Sequence, residues 1–180
     1  MAFTSQYFTA DHHFGHSRML ENRPFSDTDE MDRHLIDAWN SVVRDGDIVW
    51  HLGDFSYHSE DRTASIFSQL RGRKRLILGN HDLDNNGDIR KSIAGLAWDI
   101  EPTHYAECKL DGDRIVLNHY AQRTWNASIH GSWHLFGHSH GRLPAFGRSR
   151  DCGVDCPDVG FAPASFKNLT ASMRNAEVVA

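Results

Sequence analysis

Five short clusters of metal-ligand side chains each end an apolar run in this sequence: Asp11-His12-His13, Gly53-Asp54, Gly79-Asn80-His81-Asp82, Asn118-His119 and Gly137-His138-Ser139-His140. Asp11 with His13, and His138 with His140, are i, i+2 pairs, which a strand would turn to one side. The set holds carboxylate, amide oxygen and imidazole but no thiolate, a mixture suited to Mn²⁺, Fe or Zn²⁺. Two carboxylates and several histidines exceed what one four-coordinate zinc requires. Two ions are therefore expected, with Asp54 able to bridge them. A pair of ions ~3.5–4 Å apart can clamp a phosphoryl group and generate a hydroxide nucleophile at neutral pH. Without metal, the clustered carboxylates would repel one another and be costly to desolvate.

The elements that must position these clusters can be read from the apolar patterning. "SQYFTAD" (5–11), "DIVWHLGD" (47–54) and "KRLILGNHD" (74–82) read as strands. Between them, 29–44 places Met31, Leu35, Ala38, Trp39 and Val42 on one helical face, and 59–72 places Ala64, Ile66, Phe67 and Leu70 together. Asp27 is the expected N-cap of the first helix, with Glu30 three positions on; Gly46 and Gly72 are the expected stops. This β-α-β-α-β order predicts a parallel sheet with crossover helices. Downstream, 104–120 reads as a hairpin about Asp111-Gly112 and 134–140 as a further strand, so the second half is expected to be richer in mixed or antiparallel sheet. In open α/β sheets ligands bind just outside the carboxyl ends of the strands, where all five clusters fall.

Composition narrows the function classes. The chain has 180 residues, expected to form one domain over 1–180, and a net charge of −5 argues against a groove for long nucleic acid. Thirteen histidines against 19 Lys plus Arg make histidine the outlier. The three cysteines form no disulfide framework, and Cys152 and Cys156 are expected as small core residues. No apolar stretch is long enough to span a membrane, and the N-terminus lacks the pattern of a signal peptide, so a cytoplasmic protein is expected.

In order, "DHH", "GD", "GNHD", "NH" and "GHSH" resemble the signature of the calcineurin-like metallophosphoesterase superfamily, D-x-H, G-D, G-N-H-D/E, H and G-H-x-H. The resemblance runs from Asp11 to His140 and is nearest to small single-domain bacterial and archaeal phosphodiesterases. It implies an α/β fold, a four-layer α-β-β-α sandwich of two mixed sheets. It also implies one metal on Asp11, His13, Asp54 and His140 and a second on Asp54, Asn80, His119 and His138. A metal-bridging hydroxide would attack phosphorus, and His81 would protonate or stabilise the leaving oxygen. Asn118 replaces the family's common glycine before the fourth-motif histidine, which leaves the ligand in place. Two divalent ions are expected, Mn²⁺ first, with Fe, Zn²⁺, Ni²⁺ or Co²⁺ as alternatives.

The expected activity is hydrolysis of small phosphodiesters, with nucleotides among the candidates. A phosphomonoesterase, a nucleotide pyrophosphatase and a non-catalytic protein-binding scaffold on the same fold remain alternatives. His16, Arg23 and Arg142 are candidate substrate contacts by their proximity to the motifs. Tyr120, Trp125 and Trp133, in the segment 120–133, are candidates for stacking on a base. His12 and His51 are expected to pack internally, and His34, His58, His104 and His130 to be solvated.

Overall fold

The computed structural model describes residues 4–173 and 175–178. In chain order the elements are β1 (Gln6–Thr9), α1 (Thr28–Val42), β2 (Ile48–His51), α2 (Glu60–Gln69), β3 (Arg73–Leu76), α3 (Lys91–Ala94), β4 (Tyr105–Leu110), β5 (Asp113–Asn118), β6 (Trp133–Phe136), β7 (Ser149–Asp151), β8 (Ala164–Ser165) and α4 (Phe166–Thr170). They form an α/β sandwich of two four-stranded mixed sheets, ordered β3-β2-β1-β8 and β4-β5-β6-β7. β1, β2 and β3 run parallel, as the β-α-β-α-β pattern predicts, and β8 joins β1 antiparallel. In the second sheet β4 and β5 are the expected hairpin, while β6 and β7 continue parallel to β5. Positive φ at both Asp111 (51°) and Gly112 (88°) gives the hairpin a turn whose twist matches its strands.

Alternation along the strands divides the apolar side chains between two cores. Phe8, Trp50 and Leu52 face the space between the sheets, where they meet Ile115, Leu117, Trp133 and Leu135. Val49, Leu76 and Leu78 face the other way, onto Met31, Leu35 and Trp39 of α1 and Ile66 and Phe67 of α2. Truncating a side chain as buried as Trp39 to alanine would cost ~3–5 kcal/mol.

Asp27 caps α1 by accepting the Glu30 N–H at 2.8 Å, while the Glu30 carboxylate accepts the N–H and hydroxyl of Ser26. Both long helices end short of the glycines expected to stop them. Each gives way to an extended, buried apolar residue, Val43 after α1 and Leu70 after α2, whose side chain is drawn into the core. Over the outer face of the second sheet lies the segment 120–132 instead of a long helix. Its Trp125 ring packs 5.5 Å from His134. Among the described residues no helix is long and apolar enough to cross a membrane.

Candidate metal centre

Four of the five strands feeding the candidate ligands, β1, β2, β3 and β6, are shorter than their apolar runs suggest, while β5 reaches Asn118, next to His119. β1 ends at Thr9 and β6 at Phe136, so Asp11, His13, His138 and His140 lie beyond regular strand. Their pairing therefore does not come from a two-residue pleat. Left-handed backbone turns the side chains instead, with φ of 59° at Asp11, 50° at His13, 62° at Asp54, 65° at His138 and 50° at His140. Asp and His tolerate this region better than most non-glycine residues, but it is sparsely populated and each instance costs roughly 1–3 kcal/mol.

The loops are held by their own backbone groups. The amide N–H groups of Asp11 and His13 donate to the carbonyls of Gly53 (2.9 Å) and Asp54 (3.0 Å). Asp82 is fully buried, and its carboxylate accepts the N–H groups of Asp54, Phe55 and Gly79 at 2.8–2.9 Å. Gly53 and Gly79 let these loops touch. A Cβ on Gly53 would lie 2.5 Å from His119 Nδ1, and one on Gly79 would lie 2.6 Å from the Asp54 nitrogen.

Two groups of ligand atoms result, Asp11 with His13 and His140, and Asp54 with His119 and His138, each within 4.8 Å of one another. Asn80 joins the second group, its Oδ1 being 3.1 Å from His119 Nε2 and 3.0 Å from His138 Nδ1. Asp54 stands between the groups. Its Oδ1 accepts the His81 N–H at 2.8 Å, and its Oδ2 lies 3.5 Å from both His13 Nε2 and His119 Nε2.

These side chains fit a cation. His119 donates its Nδ1–H to the Leu52 carbonyl at 2.7 Å, and burial pushes its pKa down to about 4, so the neutral ring presents a lone pair at Nε2. That lone pair faces the Asn80 and Asp54 oxygens, themselves acceptors. In the first group Asp11 Oδ2 and both His13 ring nitrogens are buried without a hydrogen-bond partner. Burial, with Asp151 and Asp54 nearby, pushes the Asp11 carboxyl well above its usual range, and burial pushes His13 down to about 2. Acceptors this crowded and desolvated call for a positive charge among them. The donors are oxygen and imidazole nitrogen, which divalent Mn, Fe or Zn accept.

His140 donates Nδ1–H to Asp155 Oδ2 at 2.7 Å, which leaves its Nε2 for a metal. Asp155 also holds Arg23 through both carboxylate oxygens at 2.8 Å. Arg23, a candidate substrate contact, is among the residues lining the cavity described below, but its N–H groups are bonded within the protein. All five of its N–H groups are engaged, by Asp155, by the carbonyls of Asp11 and His12, and by Met31 sulfur. Its role is to fix the loop that carries Asp11 and His13.

A cavity of about 640 Å³ opens beside the first group and is lined by His16, Arg18, Tyr57, His81, His140 and Arg142 among others. The His16 ring stacks on Tyr57 at 3.7 Å, and Tyr57 Oη hydrogen-bonds His81 Nδ1. Arg142 is exposed at the rim. Of the three aromatic candidates for stacking on a base, Trp125 and Trp133 are core residues, the alternative that explains a tryptophan equally well. Only Tyr120 is exposed, and it packs edge-on against His119 and His138.

His12 and His51 bond each other at 2.9 Å within the core. His58, expected in solvent, instead bonds the buried Asp32 carboxylate at 2.6 Å; Asp32 also accepts the Gly15 N–H and so ties α1 to the first loop. Cys152 and Cys156 are buried free thiols. Asp155, Tyr57, Asp82 and Asp32 went unassigned in the sequence. Only Asp82 had a signal, its place in "GNHD".

No family model matches the chain. It is 31% identical over 144 residues to MJ1445 of Methanocaldococcus jannaschii, an uncharacterized protein, covering 78% of this chain and 72% of that one. It is 30% identical over 158 residues to the gene 66 protein of Mycobacterium phage D29, covering 76% and 79%. The fold is shared with AQ665 of Aquifex aeolicus, a protein of unknown function, at a TM-score of 0.70 and 22% identity over 94% of this chain and all of that one. On these matches the chain belongs to the family of MJ1445 and the gene 66 protein of phage D29.

Proposed function

We propose that the chain is a metal-dependent phosphoesterase of the calcineurin-like metallophosphoesterase superfamily, hydrolysing small phosphodiesters, nucleotides among them, with two divalent ions and manganese as the first candidate. The observation that carries this reading is the place of Asp54 Oδ2, 3.5 Å from His13 Nε2 and 3.5 Å from His119 Nε2. One carboxylate oxygen serving two groups of acceptors is the arrangement a metal pair needs. Asp11, His13, Asp54 and His140 would hold one ion, and Asp54, Asn80, His119 and His138 the other. Bound divalent ions supply positive charge for the phosphoryl oxygens and acidify water.

The chain's own residues would then act around the phosphoryl group. His81 lines the cavity beside the metal groups, and its ring would meet the leaving oxygen. Arg18 and Arg142 line the same cavity and are exposed at its rim, where a guanidinium can bind a phosphate oxygen. At about 640 Å³, the space exceeds what a bare phosphoryl group fills and leaves room for an ester substituent.

The test is turnover by metal-stripped protein after adding back Mn²⁺, Zn²⁺ or Mg²⁺ singly. Bis- and mono-p-nitrophenyl phosphate, cyclic nucleotides and dinucleoside polyphosphates form the panel. Metal-dependent cleavage of diesters is expected, and binding of two ions without cleavage of any member would refute the reading.

A further inference from the structure

We infer that Tyr57 is a positioning residue for His81, holding its imidazole by Nδ1 so that Nε2 is the nitrogen that meets the leaving oxygen. This rests on the phosphoesterase reading above. Tyr57 follows Asp54 by three residues in the loop beyond β2, and its Oη is hydrogen-bonded to His81 Nδ1. The His81 main chain is fixed independently, because its N–H donates to Asp54 Oδ1 at 2.8 Å. Backbone and ring are thus anchored to the same loop. With Nδ1 engaged, Nε2 is the ring nitrogen left for chemistry, and His81 lines the cavity.

Tyr57 is itself held in place. Its ring stacks face to face on His16, with centroids 3.7 Å apart and planes 6° from parallel. Its backbone N–H donates to the Phe14 carbonyl at 2.8 Å. The loop carrying His13 and the loop carrying Asp54 therefore both support the phenol that supports His81. A side chain whose rotamer is fixed by packing can orient a neighbouring acid to the tolerance that proton transfer needs.

In the step itself, His81 in its imidazolium form donates Nδ1–H to Tyr57 Oη and Nε2–H to the ester oxygen. As an oxygen from water bonds to phosphorus and releases a proton to solvent, the P–O bond to the ester oxygen breaks, its bonding pair stays on that oxygen and the Nε2 proton moves onto it. The ring is left neutral, with its Nδ1–H still on Tyr57. The phenol keeps its own proton throughout.

The experiment compares Tyr57→Phe with wild type on two diesters, a dinucleoside monophosphate, which expels an alkoxide, and bis-p-nitrophenyl phosphate, whose leaving group needs little protonation. Phenylalanine keeps the stack on His16 and removes only Oη. The expected result is a kcat roughly 10-fold lower or more on the dinucleotide, with less than about a twofold change on the nitrophenyl ester and unchanged KM and bound metal. In the Zn²⁺-loaded protein, long-range ¹H–¹⁵N spectra should show a single His81 tautomer in wild type and a mixture in the variant. An equal loss on both esters, a loss of metal, or no loss on the dinucleotide overturns the assignment, as does an unchanged His81 spectrum. Failure of the phosphoesterase reading looks different: metal-loaded wild type would cleave neither ester.

Discussion

His140 Nδ1 and Asp155 Oδ2 are 2.7 Å apart, and the same carboxylate grips Arg23 with both its oxygens. Burial alone would raise the Asp155 pKa. Arg23 and His140 outweigh burial and hold the carboxyl well below the usual carboxylate range. One charged side chain from the segment after β7 thereby orients a candidate ligand and neutralises the guanidinium beneath the Asp11 loop.

Asp155→Ala should weaken metal binding by roughly 10–100-fold, because His140 loses the acceptor that fixes its ring. It should also cost about 3–5 kcal/mol of stability by leaving Arg23 buried and unpaired. Metal titration followed by urea denaturation measures both. Unchanged metal affinity would show that His140 does not depend on Asp155.

Asp54→Ala should bind fewer than two ions, because both groups lose an oxygen at once. Wild type is expected to gain about 2.7 kcal/mol of stability when the free metal is 100 times the dissociation constant. The variant should gain much less. Elemental analysis beside thermal unfolding checks this, and a variant that still carries two tightly held ions would remove the bridge.

His81→Ala should retain both metals and lose roughly 10²–10⁴-fold in kcat on alkoxide esters. Equilibrium dialysis fixes the metal content before kinetics are read. Turnover at the wild-type rate would end the acid role.

Arg18→Gln with Arg142→Gln should raise KM for anionic diesters and change kcat little, since both guanidinium groups sit at the rim of the cavity. Because they are exposed, the loss should shrink as salt rises. A pure kcat effect would contradict a binding role.

Far from the site, Lys74 gives a prediction about pH. Its side chain lies over Phe67 and donates to the Leu70 carbonyl, and burial lowers its pKa to about 8. Between that value and the ordinary 10.5 the unfolded chain binds a proton that the folded chain has released, so this group makes stability rise with pH across the window. The contribution is on the order of 1–3 kcal/mol. Burial raises the Cys108 and Cys156 thiols to about 12, and they oppose the rise above pH ~9. The comparison to make is therefore wild type minus Lys74→Met, whose difference should rise through the window. A flat difference would show that the amine is not desolvated.

The seven candidate ligands were legible because strands of this class end at their ligands, and because Asp, Asn and His are conspicuous after Val, Ile and Leu runs. Their supports were not. Asp155 lies 132 positions from Arg23, and no local pattern joins them. Tyr57 and Asp32 look like ordinary loop and helix residues until Tyr57 meets His81 and Asp32 meets His58. The internal bonds of Arg23 were hidden for a related reason: proximity in sequence to a phosphate-type site does not tell which groups a guanidinium is bonded to. Strand ends were overrun because composition does not reveal where the backbone turns left-handed, and Asp11 and His13 do so directly after an apolar stretch.

At His13 that left-handed backbone sets stability and chemistry against each other. Glycine adopts such φ without steric strain, so at His13, whose buried ring nitrogens have no hydrogen-bond partner, a non-coordinating glycine would relieve backbone strain in the metal-free fold while erasing a ligand. A library of this protein screened only for heat resistance without metal would drift towards a hardier and inert scaffold. The same library screened with metal present would keep the His13 side chain.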